Sequence, residues 1–226
     1  MTNVWVFAQE AAGAPTSGTL ELLTKARALG TVTAFVGGDA SAIAGALGDY
    51  GATKVYATGD LGGKLPGVAV AAAMKAVIDG GDSPDLILFP QNYAGRDVVS
   101  RLSVKLDRTV LTNNVDVAVD GDAVSVTTPI FGGNTLVTTK FSGAAPYLAT
   151  FRPKSFAAEA AGGGAADVVA APVPELGANG CRLDDRGPRR GEHGSKLDEA
   201  AVVVSRWPRP RRSRQVPAGR RARRSC

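Results

Sequence analysis

The chain has 226 residues, 44% of them hydrophobic, which is enough for one well-packed domain and part of a second. Its apolar runs fall well short of the roughly 18 residues that span a bilayer. The N-terminus, MTNVWVFAQE, has no basic segment followed by a long apolar stretch, so neither a membrane helix nor an export signal is expected. The formal net charge of +5 is misleading: nine of the 26 basic residues lie in 206–226 with no acid among them, leaving 17 basic against 21 acidic residues in 1–205, a net of −4. A mildly acidic body is no argument for a nucleic-acid-binding fold.

Taken in order, residues 4–8 (VWVFA) read as a first strand, and Gly13, Pro15 and Ser17 as a loop. Leu20, Leu22, Leu23, Ala26 and Leu29 then recur at helical spacing until Gly30. A second strand is expected over 32–36, closed by Gly37-Gly38. A short alanine-rich helix carries Ile43, Ala44 and Leu47, with Asp39 or Ser41 as its N-cap. Residues 54–57 form a third strand and 68–78 an alanine-rich helix whose small side chains permit close packing on a sheet. The best-defined unit is 85–108. There the apolar run LILF stops at Pro90-Gln91-Asn92 and gives way to Val98, Val99, Leu102 and Leu106 at helical spacing. Alternation of strand and helix through this region predicts an α/β fold, a mainly parallel sheet with helices on both faces.

After Val110 the period changes. Val115, Val117 and Val119 alternate with polar neighbours, Gly121-Asp122 and Gly132-Gly133-Asn134 supply turns, Val124 and Val126 and then Leu136 and Val137 continue the pattern, and 147–151 forms one more strand. Strands without intervening helices predict antiparallel hairpins extending the sheet at its edge. Residues 157–171 (AAEAAGGGAADVVAA) lack bulky apolar side chains and read as the start of a linker over 157–197. Residues 198–205 (DEAAVVVS) look like the opening strand of another parallel sheet. The last 21 residues, 206–226, are Arg- and Pro-rich without periodicity and are expected to be a disordered basic tail. Such a tail attracts phosphates by counterion release, but its composition is also what GC-rich codons give when read out of frame.

Catalytic and metal motifs are weak. In residues 58–65 (TGDLGGKL) Gly63-Lys64 fits a phosphate loop, but Thr58 stands where the first glycine is needed and Leu65 where the metal-binding hydroxyl belongs. No G-x-G-x-x-G follows the first strand, against a dinucleotide fingerprint there. His193 is the single histidine and has no nucleophile or metal partner in its neighbourhood. Asp184-Asp185 has no second acidic cluster. Cys181 and Cys226, the only cysteines, lie outside the patterned region. They indicate neither a disulfide framework nor a zinc site, which suits a reducing cytoplasm. Neither a catalytic constellation nor a metal site is expected.

Taken together, VWVFAQ with 19–30 (TLELLTKARALG), LILFPQNYAGRDVVSRLSVKLD, TPIFGGNTLVTTK, YLATFRPKSF and KLDEAAVVVS resemble the alpha subunit of electron transfer flavoprotein. The resemblance covers about residues 3–156 and resumes over 196–205. It implies an N-terminal α/β domain at 1–156, a linker, and at 198–205 the opening strand of an FAD-binding domain. In the family that strand runs into a Gly-Gly-Arg-Gly loop, whereas Ser205 is followed here by Arg206-Trp207-Pro208. The expectation is therefore a chain truncated or frameshifted after Ser205. No family FAD contact is retained, so FAD is not expected to bind this chain alone. The family role is that of an electron carrier, shuttling electrons from acyl-CoA and other dehydrogenases to a quinone reductase. It works as a heterodimer with an AMP-bearing beta subunit, in the cytoplasm, without membrane or specific nucleic-acid partners. Gly95, Arg96, Asp97 and Arg152 are the candidate subunit contacts. A freestanding adenine-nucleotide-binding α/β module is the alternative.

Overall fold

The computed structural model describes residues 2–62 and 65–176. Expectations for Gly63-Lys64, for Cys181, Asp184-Asp185 and His193, for the strand at 198–205 and for the tail at 206–226 lie outside the described residues.

In chain order the elements are β1 (Thr2–Ala8), a small ribbon β2 (Glu10–Ala11) and β3 (Ala14–Pro15), α1 (Ser17–Arg27), β4 (Gly30–Val36), α2 (Ala44–Asp49), β5 (Ala52–Ala57), α3 (Pro66–Asp79), β6 (Leu86–Pro90) and α4 (Tyr93–Leu106). There follow β7 (Val110–Asn114), β8 (Asp116–Asp120), β9 (Ala123–Ile130), a 3-10 turn (Phe131–Gly133), β10 (Thr135–Lys140), β11 (Tyr147–Phe151) and β12 (Asp167–Ala170). The main sheet has seven strands in the order β12-β5-β4-β1-β6-β11-β7. All six of its pairings are parallel.

β1 lies at the middle of the sheet, and its composition explains why. Val4, Val6 and Ala8 bury toward α1 and α2, while Trp5 and Phe7 bury toward α3 and α4. A strand enclosed on both faces reads as one continuous apolar run. On the α3 side the fit is large against small. Ala69, Ala71 and Ala73 of α3 are fully buried. The rings of Trp5, Phe35 and Tyr56 lie beneath that helix with centroids 5.7 Å apart. Burying each of these rings contributes about 2–3 kcal/mol.

The mainly parallel sheet, the helices on both faces and the antiparallel hairpins are present as expected. The hairpins β8-β9-β10 bond among themselves in a separate three-stranded sheet, which packs Val117, Val124 and Val126 into the α1 and α2 side of the core. Residues 147–151 do not join that sheet. As β11 they insert between β6 and β7, parallel to both. The excursion through β8-β9-β10 supplies the long crossover that a parallel return requires. The expected N-cap of α2 is also different. Asp39 accepts from Ser41 N at 2.9 Å in a turn of its own, and Ile43 occupies the cap without a side-chain bond.

Residues 152–166, the end of the expected domain and the start of the stretch expected to be a linker, are strapped over α1 and α2. Glu21 of α1, only 8% exposed, accepts from Lys154 N at 2.7 Å. Lys25 Nζ lies 5.5 Å from the centre of the Phe156 ring. Thr24 Oγ1 accepts from Glu159 N at 3.1 Å, and Ala161 N donates to Asp49 O at 2.6 Å. The strap delivers β12 to the free edge of β5, where Asp167–Ala170 pair with Lys54 through Ala57. Backbone bonds hold this strand; Val168 and Val169 stay 46% and 40% exposed.

Burial raises the Glu21 pKa above its ordinary value, against the opposing pull of nearby backbone amides and of the Lys154 charge. A carboxyl whose folded pKa is raised binds its proton more tightly in the folded chain, so its contribution is fully present below the unfolded value and is lost as pH rises through the folded one. Chemical denaturation from pH 7 down toward 4.5, the unfolded value, is expected to show the unmodified chain gaining stability relative to Glu21→Gln. Glu21→Ala leaves the Lys154 amide without its acceptor and is expected to cost about 1–2 kcal/mol at pH 7.

Candidate functional site

In an open parallel sheet, ligands and partners dock outside the carboxyl ends of the strands, where the order of connection reverses. Here the reversal falls at β1. The chain leaves β1 for β4 on one side and later returns to β6 on the other. Gln9 follows β1, and Gln91-Asn92 follow β6. Asn92 has extended backbone angles and accepts from Gly95 N at 2.9 Å, which caps α4. Its amide nitrogen donates to Gln9 Oε1 at 2.5 Å, so the crevice between the two strand ends is bridged. Gln9 N in turn donates to Thr19 Oγ1 at 2.9 Å.

The same edge continues across β6, β11 and β7. Gln91 Oε1 accepts from Asn113 N at 2.9 Å and from the Thr150 hydroxyl. Asn114, fully buried, donates from Nδ2 to Thr150 O at 3.0 Å and to Leu111 O at 2.7 Å. Its Oδ1 accepts from the Thr128 hydroxyl of β9 at 2.7 Å, which ties the small sheet to the large one. Arg152 closes the row: its N donates to Asn114 O at 3.0 Å and its Nε to Asn113 Oδ1 at 2.7 Å.

The four candidate residues all lie on this edge. Gly95 is buried in the first turn of α4. A Cβ there would stand 2.0 Å from Pro90 O, so only glycine lets the helix approach the end of β6. Arg96 is exposed, its guanidinium 5.5 Å from the centre of the Tyr93 ring. Asp97 pairs with Arg101 Nε at 2.8 Å. It also presses against the first turn of α3, where a Cβ on Gly67 would sit 1.8 Å from Asp97 Oδ2. Arg152 is tied to Asn113 and not to the α4 residues. Sequence reasoning missed the amides that knit the edge together, Gln9, Gln91, Asn92, Asn113 and Asn114. Their signal was position alone, polar residues at or just past the ends of apolar strands.

A dinucleotide diphosphate needs free amides at a helix N-terminus and no negative charge beside them. The chain's own side chains occupy those positions at α1 and α4, and a carboxylate stands beside α3. Thr16 Oγ1 accepts from Thr19 N at the start of α1, Asn92 caps α4, and the Asp97 carboxylate lies against the start of α3. The buried Trp5 Nε1, which lacks an acceptor, is enclosed by Phe35 and Tyr56 beneath α3 and faces no open site. A cavity of about 340 Å³ lies at the opposite, amino end of the strands against Asp85 and Asp122. The starts of α1 and α4 therefore do not fit the diphosphate of FAD. Among the described residues, no group of three His, Cys, Asp or Glu side chains could hold a metal ion.

Alanine in place of a helical glycine ordinarily gains up to about 1 kcal/mol. Gly95→Ala is expected to do the reverse and lower stability by about 1–3 kcal/mol, because the obstacle is a backbone oxygen that cannot swing away. Gly18→Ala in α1 is the control: its Cβ would meet only Pro90 Cβ at 3.9 Å. Denaturant midpoints of the two variants test the difference.

The family model for the electron transfer flavoprotein domain matches residues 4–176. An electron transfer flavoprotein subunit alpha of Syntrophomonas wolfei is 32% identical over 156 residues, 68% of this chain and 49% of the relative. The subunit alpha of Mycobacterium leprae is 30% identical over 209 residues, 91% of this chain and 64% of the relative. That of Mycobacterium tuberculosis is 32% identical over 186 residues, 79% and 56% respectively. The chain thus spans about half to two thirds of the length of these relatives. A family match running from β1 past β12, with relatives 30–32% identical, places this chain in the electron transfer flavoprotein family, as an alpha-subunit-like member.

Proposed function

We propose that residues 1–156 are the scaffold and pairing domain of an electron transfer flavoprotein alpha subunit, with the strap and β12 leading out of it. The chain acts as an electron-carrier subunit, not as an enzyme. It pairs with an AMP-bearing beta subunit, and the assembled carrier passes electrons from acyl-CoA and other dehydrogenases to a quinone reductase in the cytoplasm. FAD supplies the redox chemistry of such carriers. The residues of this chain form and orient a rigid platform, and none of those described holds the flavin.

The observation that supports this reading is the sealed carboxyl edge. The Asn92–Gln9 bridge and the caps at Thr16 and Asn92 use up groups that would otherwise bind phosphate, and the Asp97 carboxylate sets a negative charge beside the start of α3. What the edge leaves facing solvent is Tyr93, 88% exposed, together with exposed Arg96 and Arg152. Neither of these arginines forms an ion pair among the described residues. An exposed aromatic ring beside the Arg96 guanidinium, with a second unpaired arginine on the same edge, matches the chemistry enriched at protein interfaces. The same sealing argues against a freestanding adenine-nucleotide module.

Three measurements test the reading. The chain incubated with excess FAD and desalted is expected to carry no stoichiometric visible flavin spectrum, and AMP is expected to leave its melting temperature unchanged. Mixed with its beta subunit, it is expected to form a stable complex that Arg96→Glu with Arg152→Glu weakens tenfold or more. Stoichiometric flavin on the chain alone, or stabilisation by AMP, would overturn the scaffold assignment.

A further inference from the structure

Among the described residues, Trp5 Nε1 is the one buried side-chain polar atom without a hydrogen-bond partner. A buried indole N–H ordinarily finds an acceptor. The Trp5 ring packs against Phe35 and Tyr56, with centroids 5.7 Å away in each case. Of these three rings only Tyr56 has a proton acceptor. Its hydroxyl donates to Asp82 Oδ2 at 2.5 Å, the length of a charge-assisted bond. Lys54 Nζ donates to the same oxygen at 2.9 Å. Tyr56 is buried, whereas the Lys54 and Asp82 side chains are 40% and 32% exposed, so the cluster runs from the aromatic layer to water. The other three tyrosines lie apart from this layer. Tyr50 and Tyr147 pack on the opposite face of the sheet, and Tyr93 is solvated.

We propose that Tyr56 and Asp82 form a proton-coupled redox site that takes an oxidising hole from Trp5 and carries it to the surface. An oxidising radical removes one electron from Trp5 and leaves the indole radical cation. With no acceptor at Nε1, the indole keeps its proton and remains a strong oxidant. Tyr56 gives an electron to Trp5 and its phenolic proton to Asp82 Oδ2. The O–H bond of Tyr56 breaks and an O–H bond on Asp82 forms, leaving neutral Trp5, a neutral tyrosyl radical and a protonated Asp82. A diffusible one-electron reductant, a thiolate or ascorbate, then reduces the tyrosyl radical, and Asp82 returns the proton. Lys54 couples the two transfers. Its Nζ lies 5.2 Å from the centre of the Tyr56 ring and repels positive charge there, so the electron and the proton leave together. Burial acts to raise the Asp82 pKa, but the bonds from Tyr56 and Lys54 outweigh it and hold the carboxyl below its ordinary value, so the acceptor is unprotonated at neutral pH. The site guards the layer beneath α3. A lasting Trp5 radical adds dioxygen, and an enlarged polar ring does not fit under the fully buried Ala69, Ala71 and Ala73.

The test uses the full chain carrying Trp207→Phe, which leaves Trp5 as its one tryptophan. A laser flash absorbed by indole and not by phenol ejects the electron, and nitrous oxide with tert-butanol takes it up. Transient absorption is expected to show the Trp5 radical decaying in a first-order step as a tyrosyl radical rises one for one. Tyr56→Phe keeps the ring and is expected to lengthen the life of the Trp5 radical at least tenfold. Asp82→Asn still accepts a hydrogen bond but is no base, and is expected to do the same. Tyr93→Phe is expected to change nothing. In the chain with Tyr56 and Asp82 intact, heavy water is expected to slow the transfer, a readout that packing alone does not move. A Trp5 radical that lives as long with Tyr56 as with Tyr56→Phe would overturn the proposal. Undiminished transfer in Asp82→Asn, or equal rates in light and heavy water, would overturn it as well.

Discussion

The structure depends on the burial of β1 on both faces. Because Val4 and Val6 need one apolar layer and Trp5 and Phe7 another, helices must pack on both sides, and the strand must have parallel neighbours on both edges. That requirement fixes where the connection order reverses. It therefore also fixes which loops meet at the carboxyl edge: the loop after β1, with Gln9, and the loop after β6, with Gln91 and Asn92. The choice of alanines along α3 follows from the same constraint. A layer of Trp5, Phe35 and Tyr56 leaves room above it only for small side chains, and the close approach of α3 to α4 at Gly67 and Asp97 follows in turn.

Much of the sheet and its helices was legible because burial on two faces writes long apolar runs and helical periods into the sequence. β1, β4, β6, α1 and α4 were all plain on those grounds. The parts that were missed carry no such signal. β12 is an edge strand held by backbone bonds to β5, in a stretch of alanines and glycines whose side chains bury little. The orientation of β11 is set by the length of the excursion before it, not by its own five residues. The cap of α2 was misjudged because Asp39 and Ser41 satisfy each other one turn too early.

The site was legible in part. The Gly95-Arg96-Asp97 motif drew attention by its position, and the structure gives two of its members packing roles: Gly95 admits the end of β6, and Asp97 seats α4 on α3. Arg152 belongs to the same edge through Asn113. The amide network between them was hidden, because Gln, Asn and Thr at strand ends are ordinary loop composition. Only the fold brings Gln91, Asn113 and Thr150 within hydrogen-bonding distance of one another.

These amides also support the proposed pairing role over a ligand site. A ligand site keeps donors unsatisfied until its ligand arrives. A pairing surface instead benefits from groups already fixed, because ordering side chains on association costs about 0.5–1.5 kcal/mol for each flexible one. On this edge donors from Thr19 at the start of α1 across Asn92 and Asn113 to Asn114 are taken up internally. The buried Asn114 extends that rigidity into the small sheet through Thr128. The edge is therefore organised before any partner meets it, with its exposed aromatic and arginine side chains standing on a backbone that has little freedom left to lose.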